Sequence, residues 1–154
     1  ARAFGCHVIY YSTSGKNANP DFERVTWEEL LERSDIVSVH APLNAYTEGM
    51  MDAAAFAKMK PSAIFINVGR GPIVREEDLA AALEEHQIAA AGLDVMTKEP
   101  LPQDSPLLRI QDSRRLLITP HIAWASVEAR QRLVGDLAAN LDAWLAGERK
   151  NRIL

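Results

Sequence analysis

The stretch Ile64-Phe65-Ile66-Asn67-Val68-Gly69-Arg70-Gly71-Pro72 decides how the chain is read. Its first three residues are apolar and favour β structure. Asn67, Gly69, Gly71 and Pro72 then break the run. A strand therefore drives into a glycine-flanked loop that holds up one cation, Arg70. In an open α/β sheet, ligands bind beyond the carboxyl ends of the strands. The planar fork of a guanidinium suits a carboxylate, which it grips with two parallel hydrogen bonds. Taken alone, the same pattern also fits a surface arginine in a tight turn.

On either side of this stretch, strand patterns alternate with helix patterns. Towards the N-terminus, Asp52 is placed to cap a helix over 53–59 that Pro61 closes. Asp35–His40 reads as a strand stopped by Pro42. Thr26-Trp27-Glu28-Glu29 is a capping box that opens a helix through about Arg33. Ser12–Pro20 is a loop of Ser, Gly and Asn, and His7–Tyr11 is a β-rich run. Ala1–Gly5 reads as the end of a helix, with Gly5 as its terminating residue.

Towards the C-terminus, Glu76–Glu85 has helical apolar spacing with acids in its first turn. Ile88–Leu93 is a small-residue strand ending at Asp94. A Pro-pinned loop follows, with one helical turn over 105–110. Leu116–Thr119 is a strand stopped by Pro120. Ser126 caps the longest helix, whose Leu133, Leu137, Leu141, Trp144 and Leu145 recur at threes and fours up to Gly147. Strands alternating with helices predict an α/β fold, a three-layer, mainly parallel sheet of five strands with helices on both faces.

Composition limits the function classes. The 154 residues contain 47% hydrophobic and 25% charged residues, with a net charge of −4. That supports a globular domain and argues against a nucleic-acid footprint. No apolar run reaches the roughly 18–20 residues a membrane span needs. The single cysteine, Cys6, rules out an internal disulfide; a buried thiol and a reducing, cytoplasmic compartment are expected. No G-x-G-x-x-G pattern is present, although a dinucleotide-binding unit normally opens with one.

Three residues stand beyond three different strands: Arg70, Glu99 and His121. In a parallel sheet these loops open on the same edge, so the side chains are able to converge. The set suits reversible reduction of a 2-keto acid. Arg70 would hold the carboxylate and polarise the carbonyl. His121 would exchange the proton on oxygen, and Glu99 would fix the imidazole tautomer and support its charged form. A nicotinamide would supply the hydride. Each residue alone has a plainer reading: a solvated Glu in a proline-rich loop, a polar turn His. Asp94 could simply end a strand, Trp124 could be core packing, and Ser12 and Lys16 could be an ordinary loop pair. His7, His40 and His86 are read as strand-edge and helix-end residues.

His40-Ala41-Pro42-Leu43, Asn67–Gly71, Gly92-Leu93-Asp94-Val95, Glu99-Pro100-Leu101-Pro102 and Thr119-Pro120-His121-Ile122 resemble, in order and spacing, the D-isomer-specific 2-hydroxyacid dehydrogenases. The resemblance runs over essentially the whole chain. Around His121–Ser126 it is nearest the glycerate dehydrogenase (hydroxypyruvate reductase) branch. It implies a catalytic set of Arg70, Glu99 and His121, no metal, and NAD or NADP as cofactor. It implies cofactor contacts from Ser12, Pro42, Thr47, Val68, Gly69, Arg70, Asp94, His121 and Ala123, with Asp94 on the nicotinamide carboxamide. It further implies a small 2-keto or 2-hydroxy acid substrate and a homodimer.

Two departures from the family pattern shape the expectations. The substrate-binding segment, the first strand and its glycine loop are expected to lie outside this chain. The organisation is then a partial Rossmann domain over 1–125 and a long helix and tail over 126–154, leading back toward a substrate domain. Ser12 stands where the family carries an acid that bonds the adenosine ribose. Ser12 removes the repulsion of a 2′-phosphate, and Lys16 adds a cation nearby. Two alternatives to an enzyme remain open: a non-catalytic, cofactor-sensing module and an inactive fragment of the same fold.

Overall fold

A computed structural model describes residues 1–152. It divides into two compact units, Ala1–Pro120 and His121–Leu154. The division falls slightly ahead of the 125/126 boundary expected from sequence. The last two residues of the expected tail lie outside the described residues.

In the first unit the elements are β1 (Ile9–Tyr10), β2 (Glu23–Arg24), α1 (Trp27–Arg33), β3 (Ile36–Val39), α2 (Ala53–Lys58), β4 (Ile64–Asn67), α3 (Glu76–Glu84), β5 (Ala90–Leu93) and β6 (Leu116–Ile118). Short 3₁₀ turns lie at Arg2–Phe4, Gly71–Ile73 and Pro106–Arg109. The second unit is built on α4, Val127–Leu145.

The caps read from sequence are formed. The Thr26 hydroxyl accepts from the Glu29 N–H at 3.2 Å, and the Glu29 carboxylate accepts from the Thr26 N–H at 2.9 Å. Asp52 accepts from the Ala55 N–H at 2.9 Å, and Ser126 accepts from the Ala129 N–H at 3.2 Å. Each satisfies a backbone donor that the first helical turn leaves free. Gly5 and Gly147 take φ of 81° and 75°, the left-handed conformation in which glycine ends a helix at little steric cost.

β3, β4, β5 and β6 form one parallel sheet in that order, with Ile36 opposite Ile64, Asn67 opposite Leu93 and Leu93 opposite Ile118. Alternate residues Val37, Val39, Phe65, Asn67, Ala91 and Leu93 are buried on one face. They join residues of α1, α2 and α3 in a single core. Phe65 meets Phe56 of α2 edge to face, with ring centroids 5.5 Å apart. Such pairs contribute about 0.5–1.5 kcal/mol beyond their area. The opposite face is more open, with Ile36 54% and Leu117 64% exposed. The layer expected on that side is not supplied by the elements of this unit.

Three expectations are corrected. β1 does not join the main sheet: it pairs in parallel with β2, a strand in a stretch that carries no strand pattern in the sequence. β2 carries only Glu and Arg and has no apolar alternation to reveal it. β1 and β3 instead flank a groove of about 880 Å³, lined among others by Ile9, Tyr11, Ser12, Val37, Val39 and Pro42. Cys6 is exposed rather than buried, because it precedes β1 in extended chain outside the core.

Candidate active and cofactor site

The Arg70 loop is built from its buried neighbour. Asn67, the last residue of β4, has no exposed surface. Its side chain accepts from the Gly69 N–H and donates to the Arg70 carbonyl, both at 3.0 Å. Its own carbonyl accepts from the Asp94 N–H at 2.9 Å. The side-chain amide therefore folds the loop, and the backbone carbonyl of the same residue ties it to the end of β5. The Arg70 guanidinium is exposed and donates to the Gly69 carbonyl at 2.7 Å.

Gly71 brings in the Glu99 loop. A Cβ built at Gly71 would lie 2.0 Å from the Met96 carbonyl carbon and oxygen. Only glycine allows the two backbones to pass this closely. The Met96 N–H then donates to the Glu99 carboxylate at 3.0 Å, and the Thr97 N–H donates to Glu76 at 2.6 Å. Arg70 and Glu99 thus stand on loops in direct backbone contact beyond adjacent strands.

Asp94 is buried at the end of β5. Its carboxylate accepts from the Thr119 hydroxyl at 2.5 Å, and the Thr119 N–H donates to the Leu93 carbonyl at 2.9 Å. The ends of β5 and β6 are fastened together at this point. His121 begins the second unit and adopts φ of 55°. Few residues other than glycine take that conformation, and those that do cluster at functional sites. Ala123 and Trp124 are exposed in the same unit, so Trp124 is not core packing.

The remaining expected cofactor residues fall into two groups. Ser12 and Pro42 line the groove between β1 and β3. Val68 and Gly69 are partly accessible on the Arg70 loop. A Cβ on Gly69 would approach the Ala41 carbonyl to 3.2 Å, so the ends of β3 and β4 are also drawn close. Thr47 closes the turn after Pro42. It is fully buried, and its hydroxyl donates to the Pro42 carbonyl at 2.7 Å and accepts from the Asn44 N–H at 2.9 Å. It shapes the Pro42 turn. The other histidines follow their plain readings: His40 bonds Ser38 at 2.9 Å, His7 lies 3.7 Å from Glu23, and His86 ends α3 with φ of 59°.

These residues fit a dinucleotide. Ser12 has a buried hydroxyl with no partner among the described residues, as a ligand donor or acceptor would. Among the described residues no cluster of His, Cys, Asp and Glu could hold a metal ion. No helix there is long and apolar enough to cross a membrane.

Sequence reasoning missed Asn67, Gly71 and Thr119 as parts of this site. From sequence Asn67 reads as a strand breaker at the head of the Asn67–Gly71 motif. The one signal it gave is a buried-type strand ending in an amide just before Gly-Arg-Gly.

Comparisons with known proteins agree with this fold. The family model described as "D-isomer specific 2-hydroxyacid dehydrogenase, NAD binding domain" matches residues 1–123. A hydroxypyruvate reductase of Blautia hydrogenotrophica is 40% identical over 98% of this chain and 47% of its own length. The solved structure of an acyclic imino acid reductase with NADPH and D-Arg is 35% identical, with a TM-score of 0.86 over 99% of this chain and 48% of that one. The NAD-complexed D-isomer specific 2-hydroxyacid dehydrogenase of Lactobacillus delbrueckii ssp. bulgaricus is 28% identical, with a TM-score of 0.84 over 99% and 50%. The chain spans about half the length of the curated relative it matches. It belongs to the D-isomer specific 2-hydroxyacid dehydrogenase family, and the residues that match are those of the NAD-binding domain.

Proposed function

We propose that the full-length protein is an NAD(P)-dependent oxidoreductase that interconverts a D-2-hydroxy acid and a 2-keto acid, with glycerate and hydroxypyruvate as the leading pair. The observation that carries this reading is the Arg70–Glu99 assembly. Asn67 and Gly71 lock a free-ended guanidinium and a carboxylate onto touching loops at the carboxyl ends of adjacent strands. The choice of acid draws on the hydroxypyruvate reductase relative and on the sequence around Trp124.

In this reading the Arg70 fork binds the substrate carboxylate and withdraws charge from the adjacent carbonyl. His121 donates a proton to the carbonyl oxygen in reduction and removes it in oxidation. Glu99 accepts from the other imidazole nitrogen and stabilises the imidazolium. Asp94, held by Thr119, receives the carboxamide of the nicotinamide. Ser12, Pro42, Thr47, Val68, Gly69, Arg70, His121 and Ala123 line the rest of the cofactor's path. When bound, the cofactor supplies or accepts the hydride. A homodimer in the cytoplasm is the assembly we infer from family resemblance.

The test is steady-state kinetics on the full-length protein with a panel of small 2-keto acids and their decarboxylated analogues. His121→Ala should lower kcat by about 10²–10⁴-fold, the range of a lost acid–base group. Arg70→Lys should mainly raise KM, because a point charge replaces the two-pronged grip. Turnover that ignores the carboxylate, or a fully active His121→Ala, would overturn the assignment.

A further inference from the structure

The first turn of α3 holds three consecutive acids, Glu76, Glu77 and Asp78, and the chemistry above uses none of them. Acids at a helix N-terminus are ordinarily accounted for by the helix dipole. Here each carboxylate also reaches a different part of the chain. Asp78 accepts from the Ala53 N–H at the start of α2, at 3.0 Å. Glu77 accepts from the Arg109 guanidinium at 2.8 Å, and Glu84 lies 3.3 Å from the same group. Glu76 accepts from the Thr97 N–H at 2.6 Å. Thr97 and Arg109 bracket the segment that carries Glu99.

Glu76 stands on a rigid base. Leu79, Ala80 and Leu83 of α3 are fully buried, and the Arg75 N–H ties the helix start to the Met51 carbonyl at 3.0 Å. The loop that Glu76 grips presents two successive backbone donors. The Met96 N–H goes to the Glu99 carboxylate at 3.0 Å, and the Thr97 N–H goes to Glu76. A backbone donor deprived of its acceptor needs another partner. For the Thr97 N–H the near candidate is the Glu99 carboxylate, two residues along and already bonded to the neighbouring amide. Bonds from N–H groups to an ionised carboxylate are among the strong ones. A Glu99 carboxylate bound by both amides of its own loop is drawn toward that loop and away from the cleft.

We propose that Glu76 is a positioning residue for Glu99. It tethers the Glu99 loop to α3 and, by taking the Thr97 N–H, keeps the Glu99 carboxylate from folding back onto its own backbone. Glu76 acts through Glu99 and is assigned no contact with substrate or cofactor. The consequence for turnover rests on the dehydrogenase reading, in which the Glu99 carboxylate orients the His121 imidazole. Loss of Glu76 then slows the proton-transfer step and spares the grip on the substrate carboxylate, which belongs to Arg70. Glu77 has no such role. Its pair with Arg109 is solvent-exposed and backed up by Glu84, and exposed pairs contribute little.

Two measurements on the full-length protein test this, each on Glu76→Ala, Glu76→Gln and Glu77→Ala. The first is amide hydrogen exchange followed by mass spectrometry. Glu76→Ala should speed exchange about tenfold over 96–98, with α3 itself unchanged, because one charge-assisted bond is lost. Glu76→Gln keeps a side-chain oxygen that accepts from Thr97 and should hold exchange near the unaltered rate. The second is kinetics with hydroxypyruvate. Glu76→Ala should lower kcat about tenfold or more and leave KM for the keto acid within about twofold; Glu76→Gln should restore most of the loss, and Glu77→Ala should be close to unaltered. Unchanged exchange over 96–98 in Glu76→Ala overturns the tether. Local exchange that rises while kcat stays at the unaltered value overturns the positioning role. Equal losses in Glu76→Ala and Glu76→Gln overturn it too. A local rise in Glu76→Ala, reversed in Glu76→Gln, in a protein that turns over no 2-keto acid would uphold the tether and refute the dehydrogenase reading.

Discussion

Gly71→Ala is the sharpest probe of how the active-site loops are held. Ordinary contacts of a Cβ begin at 3.4 Å, whereas the added carbon would sit 2.0 Å from the Met96 carbonyl group and 2.4 Å from the Thr97 nitrogen. The obstacle is backbone, so no side-chain rotation relieves it. The Arg70 and Glu99 loops must part by about 1.4 Å. A displacement of that size in a positioning element costs about 10²-fold in rate. Overpacking of this kind destabilises by about 1–3 kcal/mol, equivalent to a melting temperature lower by roughly 2–12 °C in a protein of about 150–250 residues and by less in a larger one. The assay pairs kcat/KM with thermal unfolding on the full-length protein. Gly92→Ala is the control, since a Cβ there meets nothing within 4 Å. Wild-type kcat/KM in Gly71→Ala would refute the claim that these two loops must touch.

Other substitutions probe single links. Asn67→Asp keeps the acceptor for the Gly69 N–H but sets an anion against the Arg70 carbonyl; a loss of about 2–4 kcal/mol in denaturant unfolding is expected from the unsatisfied buried groups. Thr26→Ala removes the capping box of α1 and should cost about 1 kcal/mol by the same measurement. Gly135→Ala lies mid-helix in α4 with open space around it, and should stabilise by about 0.5–1 kcal/mol. Asp112 accepts three hydrogen bonds from Arg114, at 2.9–3.0 Å, and its carboxyl is lowered to about 2. The folded value lies below the unfolded one, so the stabilisation is present above about pH 4 and fades as pH falls toward 2. An NMR titration should find that midpoint in the folded protein, and Arg114→Ala should raise it toward the ordinary carboxylate range.

Legibility in the sequence followed the strength of the local signal. Thr26, Asp52 and Ser126 announce helix starts because a side-chain oxygen has one geometric use there, and all three form their caps. β4 was readable from an apolar run with an abrupt glycine break. β2 was not, because Glu23 and Arg24 pair through backbone alone and carry no apolar pattern. Cys6 was misplaced for a related reason: proximity to a strand says nothing about burial when the chain beside it never enters the core. At the site, charged residues beyond strand ends were visible, whereas the groups that place them were not. Asn67 acts through an amide buried inside its own loop, and Gly71 through an absent side chain. Such roles depend on which backbone lies opposite, and that becomes known only once β4 and β5 are in register.

The same register explains why the site can be precise on a sheet with one open face. Asn67 lies opposite Leu93, so Asp94 follows directly and its N–H reaches the Asn67 carbonyl. Leu93 lies opposite Ile118, so Thr119 is brought to Asp94 in turn. Each strand end is therefore fixed by its neighbour through a ladder contact that continues one residue into the loop. These links run along the carboxyl edge and involve neither Ile36 nor Leu117 on the accessible face. Polar substitutions at Ile36 or Leu117 should leave the Arg70 and Glu99 loops where they are, whereas a change at Asn67 is felt at Gly69 and Arg70 together. Function on this edge is thus carried by backbone geometry that the buried face stabilises, and the side chains that do chemistry are free to be polar, exposed and few.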